Sequence, residues 1–166
     1  MSNQLSLVEL PSYSAIDVTG ADAAKFLQGQ LTINVDTPTE SQSCLAALCN
    51  PKGRIVSLFH IVVIEQGFRL VMPKSLIDAS LSHLKKYGVF FKVEIVESAI
   101  FGLVGVINFS ADILTAINNS AVLKAYQLNE HQMAFIALSS QDNISQLSTS
   151  LKVSIKQDPD IWFSAL

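Results

Sequence analysis

The stretch Ile100–Leu151, IFGLVGVINFSADILTAINNSAVLKAYQLNEHQMAFIALSSQDNISQLSTSL, switches between two hydrophobic periods. Ile100–Ile107 is a short run rich in β-branched residues, the composition of a strand. Ser110–Asn118 has helical spacing, with Ser110 as a candidate N-cap. Ala121–Leu128 and Met133–Leu138 read as strands joined by a turn at Asn129–Gln132, and Asp142–Leu151 reads as a second helix. Strand, helix, strand, strand, helix is the order of a ferredoxin-like, or split βαβ, unit. Lys152–Ile155 supplies a candidate last strand. Gly102 and Gly105 are too sparse for a phosphate cradle and mark a close backbone approach or a bulge.

Toward the N-terminus the same kinds of element recur. Gln4–Leu10 and Tyr13–Val18 alternate as strands do, separated by Pro11 and Ser12. Ala21–Leu31 puts Ala24, Phe26, Leu27 and Leu31 on one helical face, with Thr19 or Asp22 available to cap it. Thr32–Ser43 is polar and reads as a loop. Cys44–Cys49 and Ile55–Ile64 flank Asn50-Pro51-Lys52-Gly53, which has the chemistry of a hairpin turn. Glu65-Gln66-Gly67 turns the chain into Phe68–Met72. Pro73 then opens a helix striped by Leu76, Ile77, Leu81 and Leu84 and ended by Gly88. Val89–Glu97 is β-branched and aromatic, so a strand is expected there. The class is α+β: residues 1–98 form a first unit, 99–155 a ferredoxin-like second unit, and 156–166 the start of a further segment. The halves suggest a degenerate structural repeat without visible sequence identity. The apolar ending Ile161–Leu166 reads like an element cut in mid-course, or else one that docks on its own core.

Composition bounds the function. Hydrophobic residues make up 49% of the 166, charged residues 15%, and mean hydropathy is +0.38. An average soluble domain is about 25% charged. Either a partner or a further domain covers apolar surface, or the core is unusually apolar. No apolar run approaches the ~20 residues of a membrane span, and Met1–Leu10 lacks the basic start of a signal peptide, so a cytoplasmic protein is expected. Net charge is −3, and the only tight lysine pair is Lys85–Lys86, so direct nucleic-acid binding is not expected.

Motifs of catalysis are missing from the sequence. His60, His83 and His131 fall in an expected strand, helix and turn, without metal-ligand spacing. Cys44 and Cys49, five residues apart on a strand, point to opposite faces and read as small thiols rather than a disulfide or a metal pair. No carboxylate pair is positioned for acid–base work, and there is no nucleophile elbow or P-loop.

Three stretches carry a resemblance: Val18–Thr32 (VTGADAAKFLQGQLT), Ala46–Ile55 (AALCNPKGRI) and Leu84–Val93 (LKKYGVFFKV). In order and spacing they are similar to the front of the YgfZ-type branch of the aminomethyltransferase, or T-protein, superfamily. The resemblance implies a folate-binding fold of two interleaved strand/helix units, with the family's C-terminal barrel absent from this chain. It implies a tetrahydrofolate-type cofactor in a central channel. It also implies a role supporting iron–sulfur cluster assembly or repair, with iron–sulfur enzymes that modify tRNA among the partners.

Tyr13 and Trp162 resemble the family's folate-flanking aromatic positions, Tyr13 standing where the family's ring is larger. A ring stacked on a pterin adds about 1 kcal/mol beyond burial. Two departures matter. The family's Thr-Asn-Asp-Val reads Thr32-Ile33-Asn34-Val35 here, and its Lys-Gly-Cys motif is absent. Where the transferase has Gly-Gly-Ile-x-Asp-Asp, this chain has Gly53-Arg54-Ile55-Val56-Ser57-Leu58. The loss of both carboxylates argues against one-carbon transfer. An aminomethyltransferase-type enzyme and an interaction domain with a decayed folate pocket are the alternatives.

Overall fold

Two hydrophobic cores form, each between one face of a β-sheet and a pair of helices. In the computed structural model, residues 4–40, 42–119, 124–128, 133–158 and 160–163 are described. In chain order the elements are β1 (Ser6–Glu9), β2 (Tyr13–Thr19), α1 (Ala23–Gln28), β3 (Gln42–Cys49), β4 (Ile55–Ile64), β5 (Gly67–Pro73), α2 (Ile77–Gly88), β6 (Glu94–Glu97), β7 (Gly102–Ile107), α3 (Ala111–Asn118), β8 (Lys124–Leu128), β9 (Met133–Leu138), α4 (Asp142–Leu151), β10 (Ile155–Lys156) and α5 (Asp160–Phe163). A 3-10 turn, Lys74–Leu76, leads into α2. The expected turn at Asn129–Gln132, with His131, lies outside the described residues.

The chain divides into a front unit, Ser12–Ser98, and a rear unit, Met1–Pro11 with Ala99–Leu166. The front sheet runs β3-β4-β5-β2-β6 and is antiparallel throughout. Its last four strands have the split βαβ order, with β3 added at the edge through the hairpin to β4. That hairpin closes as its sequence requires. The Asn50 side-chain oxygen accepts the Lys52 and Arg54 N–H groups at 2.9 and 3.0 Å, and Gly53 takes φ +74°. One face of this sheet packs Ile16, Leu48, Phe59, Ile61 and Leu70 against Phe26 and Leu27 of α1 and Leu84 of α2. At about 25 cal/mol per Å² of apolar surface, this buried face dominates the unit's stability.

In the rear unit the order is β8-β9-β7-β1-β10. Strands β7, β8, β9 and β10 with α3 and α4 make the expected split βαβ arrangement, into which β1 is inserted between β7 and β10. Val104, Val106, Ile136 and Leu138 face Ile117 of α3 and Leu147 of α4.

Several boundaries differ from the sequence expectation, for local reasons. Residues 1–11 do not join the front unit. Strand β1 pairs antiparallel with β7 and parallel with β10, and the Leu10 N–H donates to the Leu103 carbonyl at 2.9 Å. Within 156–166, Lys156 is the second residue of β10, and Trp162 is fully buried in the rear unit. The last strand starts at Ile155 because Lys152 adopts left-handed φ +53° at the end of α4. Helix α2 ends without a left-handed glycine. Val89 at its C-cap is right-handed, and Gly88 packs closely, since a Cβ there would lie 2.6 Å from the end of the Ile95 side chain. The strand expected over Val89–Glu97 shrinks to Glu94–Glu97. Before it, Phe91 turns back onto Phe26, ring centroids 5.2 Å apart, and its N–H donates to the Gly88 carbonyl at 3.0 Å.

Candidate functional site

Strand alternation assigns the front sheet's second face. Ser14, Ile16 and Val18 of β2 lie on the helix-covered side, so Tyr13, Ala15 and Asp17 lie on the other. The register then lines up two rows on that face: Leu45, His60, Val71 and Ala15 across β3-β4-β5-β2, and Val62, Arg69, Asp17 and Val96 across β4-β5-β2-β6. No helix of the front unit's core cluster covers these rows, and the face is mixed in exposure. Ala15, Val62 and Val71 are buried, while Leu45, Leu58 and Val96 are 52%, 49% and 40% exposed. Half-exposed apolar side chains set among buried ones form a flat, largely uncharged surface.

The polar groups on this face are engaged or neutral. Arg69 grips Asp17 through two bonds, Nε to Oδ1 at 2.7 Å and Nη2 to Oδ2 at 2.9 Å, and Ser98 Oγ donates to the same Oδ2 at 2.8 Å. A carboxylate held this way has no free oxygen directed at a substrate. Burial lowers the pKa of His60 to about 4, so its ring is neutral at pH 7, with Nδ1 3.4 Å from Ser43 Oγ. On this face Ser43 and the neutral His60 ring form a hydroxyl–imidazole pair.

Ser57 and Leu58, where the resemblance implies lost carboxylates, part company here. Ser57 is buried on the helix-covered side, where Ser80 Oγ of α2 donates to its Oγ at 2.8 Å. Leu58, its neighbour, points the other way and is half exposed. Asn34 closes a local turn by accepting the Asp36 N–H at 3.1 Å. Cys44 and Cys49 are free, half-buried thiols, and burial raises the Cys44 pKa. His83 packs on Tyr87 at 4.7 Å, and burial with the nearby Lys86 charge lowers its pKa. Among the described residues, no group of three His, Cys, Asp or Glu side chains could hold a metal. No helix there is long and apolar enough to cross a membrane.

The two candidate folate-flanking residues belong to different units. Tyr13 opens β2, half-buried, opposite Pro73. Trp162 of α5 is fully buried, its ring 5.1 Å from that of Phe135. It lies over Gly105, where a Cβ would meet indole Cε3 at 2.2 Å. The sequence suggests a close backbone approach or a bulge at Gly102 and Gly105; instead an aromatic ring approaches Gly105, and a Cβ at Gly102 would meet nothing within 4 Å. The Trp162 Nε1–H is buried and has no hydrogen-bond partner among the described residues, an arrangement that costs about 1–3 kcal/mol if left unmet. A separate groove of about 500 Å³ lies between the lead into α1 (Gly20, Ala21, Ala24) and the β4–β5 turn (Ile64, Gln66, Phe68). Neither Tyr13 nor the Asn50–Arg54 turn lines it.

The chain was then compared with known proteins. No family profile matches it. Over 107 residues it is 41% identical to the tRNA-modifying protein YgfZ of Enterobacter sp. (strain 638), covering 64% of this chain and 33% of that protein. Over 108 residues it is 37% identical to the protein of the same name from Colwellia psychrerythraea, covering 65% and 33%. The chain thus spans about a third of the length of the curated relatives it matches, and the match occupies its N-terminal part. Among solved structures, the glycine cleavage system aminomethyltransferase T from Bartonella henselae superposes with a TM-score of 0.70 over 92% of this chain and 47% of that one, at 17% identity. The sequence is related to YgfZ, and the fold is the mixed α/β fold of the T-protein.

Proposed function

We propose that this YgfZ-related chain is the folate-binding part of an accessory factor for tRNA-modifying enzymes, and that it does not itself transfer a one-carbon group. The observation that carries the second half of this reading is the pair Ser57–Leu58. One hydroxyl is consumed inside the core by Ser80, and the neighbouring position presents an isobutyl group to the open face. Neither can relay a proton or pair with a cationic folate nitrogen. The reading extends to the partners expected from the family, iron–sulfur enzymes or assembly proteins, and to a cytoplasmic location.

The residues are suited to a tetrahydrofolate or a derivative. Tyr13 contributes a half-buried ring at the start of β2, on the face whose charged residues Arg69 and Asp17 are paired with each other. Trp162, the other folate-flanking position that the resemblance implies, is fully buried over Gly105 and beside Phe135, so its indole offers no open face to a pterin in this conformation. The folate would supply a flat ring for stacking, while the protein's own part is to hold it and keep acid–base groups away. Calorimetric titration with tetrahydrofolate tests this: saturable one-site binding is expected, weakened about tenfold by Tyr13→Ala, in line with the loss of one aromatic contact. Absence of binding favours a pure interaction domain, for which the exposed Leu45, Leu58 and Val96 would be the contact surface. Aminomethyl transfer by the full-length protein would contradict the accessory role.

A further inference from the structure

Phe90 is 90% exposed and Val89 69%, the two highest exposures among the large apolar residues described. They stand at the tip of the turn between α2 and β6, and this turn is firmly built. The Asp22 carboxylate accepts the Lys92 N–H at 2.8 Å, the Asp22 N–H donates to the Lys92 carbonyl at 3.3 Å, and Phe91 is anchored on Phe26. Phe90 is thus held outward on a fixed backbone, its neighbour Phe91 having taken the place in the core. Lys85 and Lys86 precede it and Lys92 follows it, all exposed, and no acidic residue occurs between Asp78 and Glu94. The helix macrodipole accounts for lysines in the last turn of α2. It does not account for an outward aromatic ring between them.

We propose that this tip is a contact site for unpaired nucleotides of an RNA, Phe90 stacking on a base while Lys85, Lys86 and Lys92 neutralise the flanking phosphates. Sequence-tolerant binding of single strands combines these two ingredients, a ring with a free face and cations within a nucleotide or two of it. A protein partner would be expected to meet an apolar anchor with a neutral surround, since lysine is depleted from the cores of such interfaces. The lysines that look scattered along the chain, on a protein of net charge −3, become a local basic patch through the α2–β6 turn. The choice of RNA rests on the function proposed above; the stacking site rests on the turn.

The test is fluorescence anisotropy of a labelled, unstructured RNA oligonucleotide of about twelve nucleotides titrated with the full chain at low salt. Binding is expected to fall with salt at a log–log slope of about −2, as three neutralised phosphates imply. Phe90→Ala should weaken it about tenfold and Phe90→Tyr should preserve it. Lys85→Ala with Lys86→Ala should flatten the slope by about 1.4. Because Phe90 is almost fully exposed, Phe90→Ala should leave the melting temperature unchanged, which separates lost contact from lost fold. No binding at low salt, or binding indifferent to Phe90→Ala, overturns the proposal. So does Phe90-dependent binding to phosphatidylglycerol vesicles without RNA binding. Tetrahydrofolate binding that survives when RNA binding fails leaves the folate reading in place and removes this one.

Discussion

The front and rear units share a strand order but finish their second sheet face differently. In the rear unit, Trp162 comes back from the end of the described chain and seats its indole over Gly105, beside Phe135. In the front unit, Leu45, Leu58 and Val96 remain half exposed on the corresponding side. One topology therefore supports either a face sealed by its own side chain or a face that keeps some apolar side chains half exposed. The difference lies in single residues: a glycine opposite an indole in one sheet, and leucines at the edge in the other.

The largest expected effect comes from breaking the seal. Trp162→Ala should cost about 3–5 kcal/mol of stability by opening a cavity. Gly105→Val should cost about 1–3 kcal/mol or more by evicting the ring, with a red shift of the sole tryptophan's emission. Gly102→Ala, where an added Cβ meets nothing within 4 Å, is the control and should be nearly silent in urea unfolding. Next comes the charged clasp of the front sheet. Arg69→Met leaves Asp17 with Ser98 alone and should cost about 1–3 kcal/mol. The same substitution in an Asp17→Asn background should cost much less, a coupling that a double-mutant cycle measures.

His60 gives a pH signature to the front unit. Its folded pKa of about 4 lies below the unfolded value of 6.5, so the unfolded chain takes up this proton first as pH falls. The neutral-ring contribution is complete above pH 6.5, declines between 6.5 and 4, and is gone below 4. Its size is about 2–3 kcal/mol at most, less where water reaches the ring. Thermal melts across that window should show a steeper loss for the native protein than for His60→Gln. The smallest effect belongs to the open face: Leu58→Ala should change stability by less than about 1 kcal/mol, because half of the side chain already meets solvent. A loss as large as that of Trp162→Ala would mean that the two faces do not differ in the way described.

Much of this architecture is legible in the sequence. Met133–Leu138 and Asp142–Leu151 can be bounded to the residue, since serines and Gln141 separate a compact apolar run from a clear helical spacing. The Asn50–Gly53 turn fixes its hairpin because asparagine and glycine each supply a bond or dihedral that few residues can. The open face is harder to see. Leu45-Ala46-Ala47-Leu48 and Leu58–Ile64 are apolar on both sides of their strands, so alternation cannot say which side a helix covers. The destination of Trp162 is likewise hidden, because the glycine that receives it is far away in the chain and carries no side chain to pattern. The exposure of Phe90 is masked by its own composition: Val-Phe-Phe reads as a strand, and only the Asp22 clasp on Lys92 turns one phenylalanine inward and the other out.

Titration of the intact chain with tetrahydrofolate, following Trp162 emission and the melting temperature together, probes the folate assignment most directly. Saturable change in the emission is predicted, with a rise of about 5–10 °C at a ligand concentration a hundred times the dissociation constant. If both signals stay flat at saturating concentration, the chain does not bind the cofactor and the assignment is wrong.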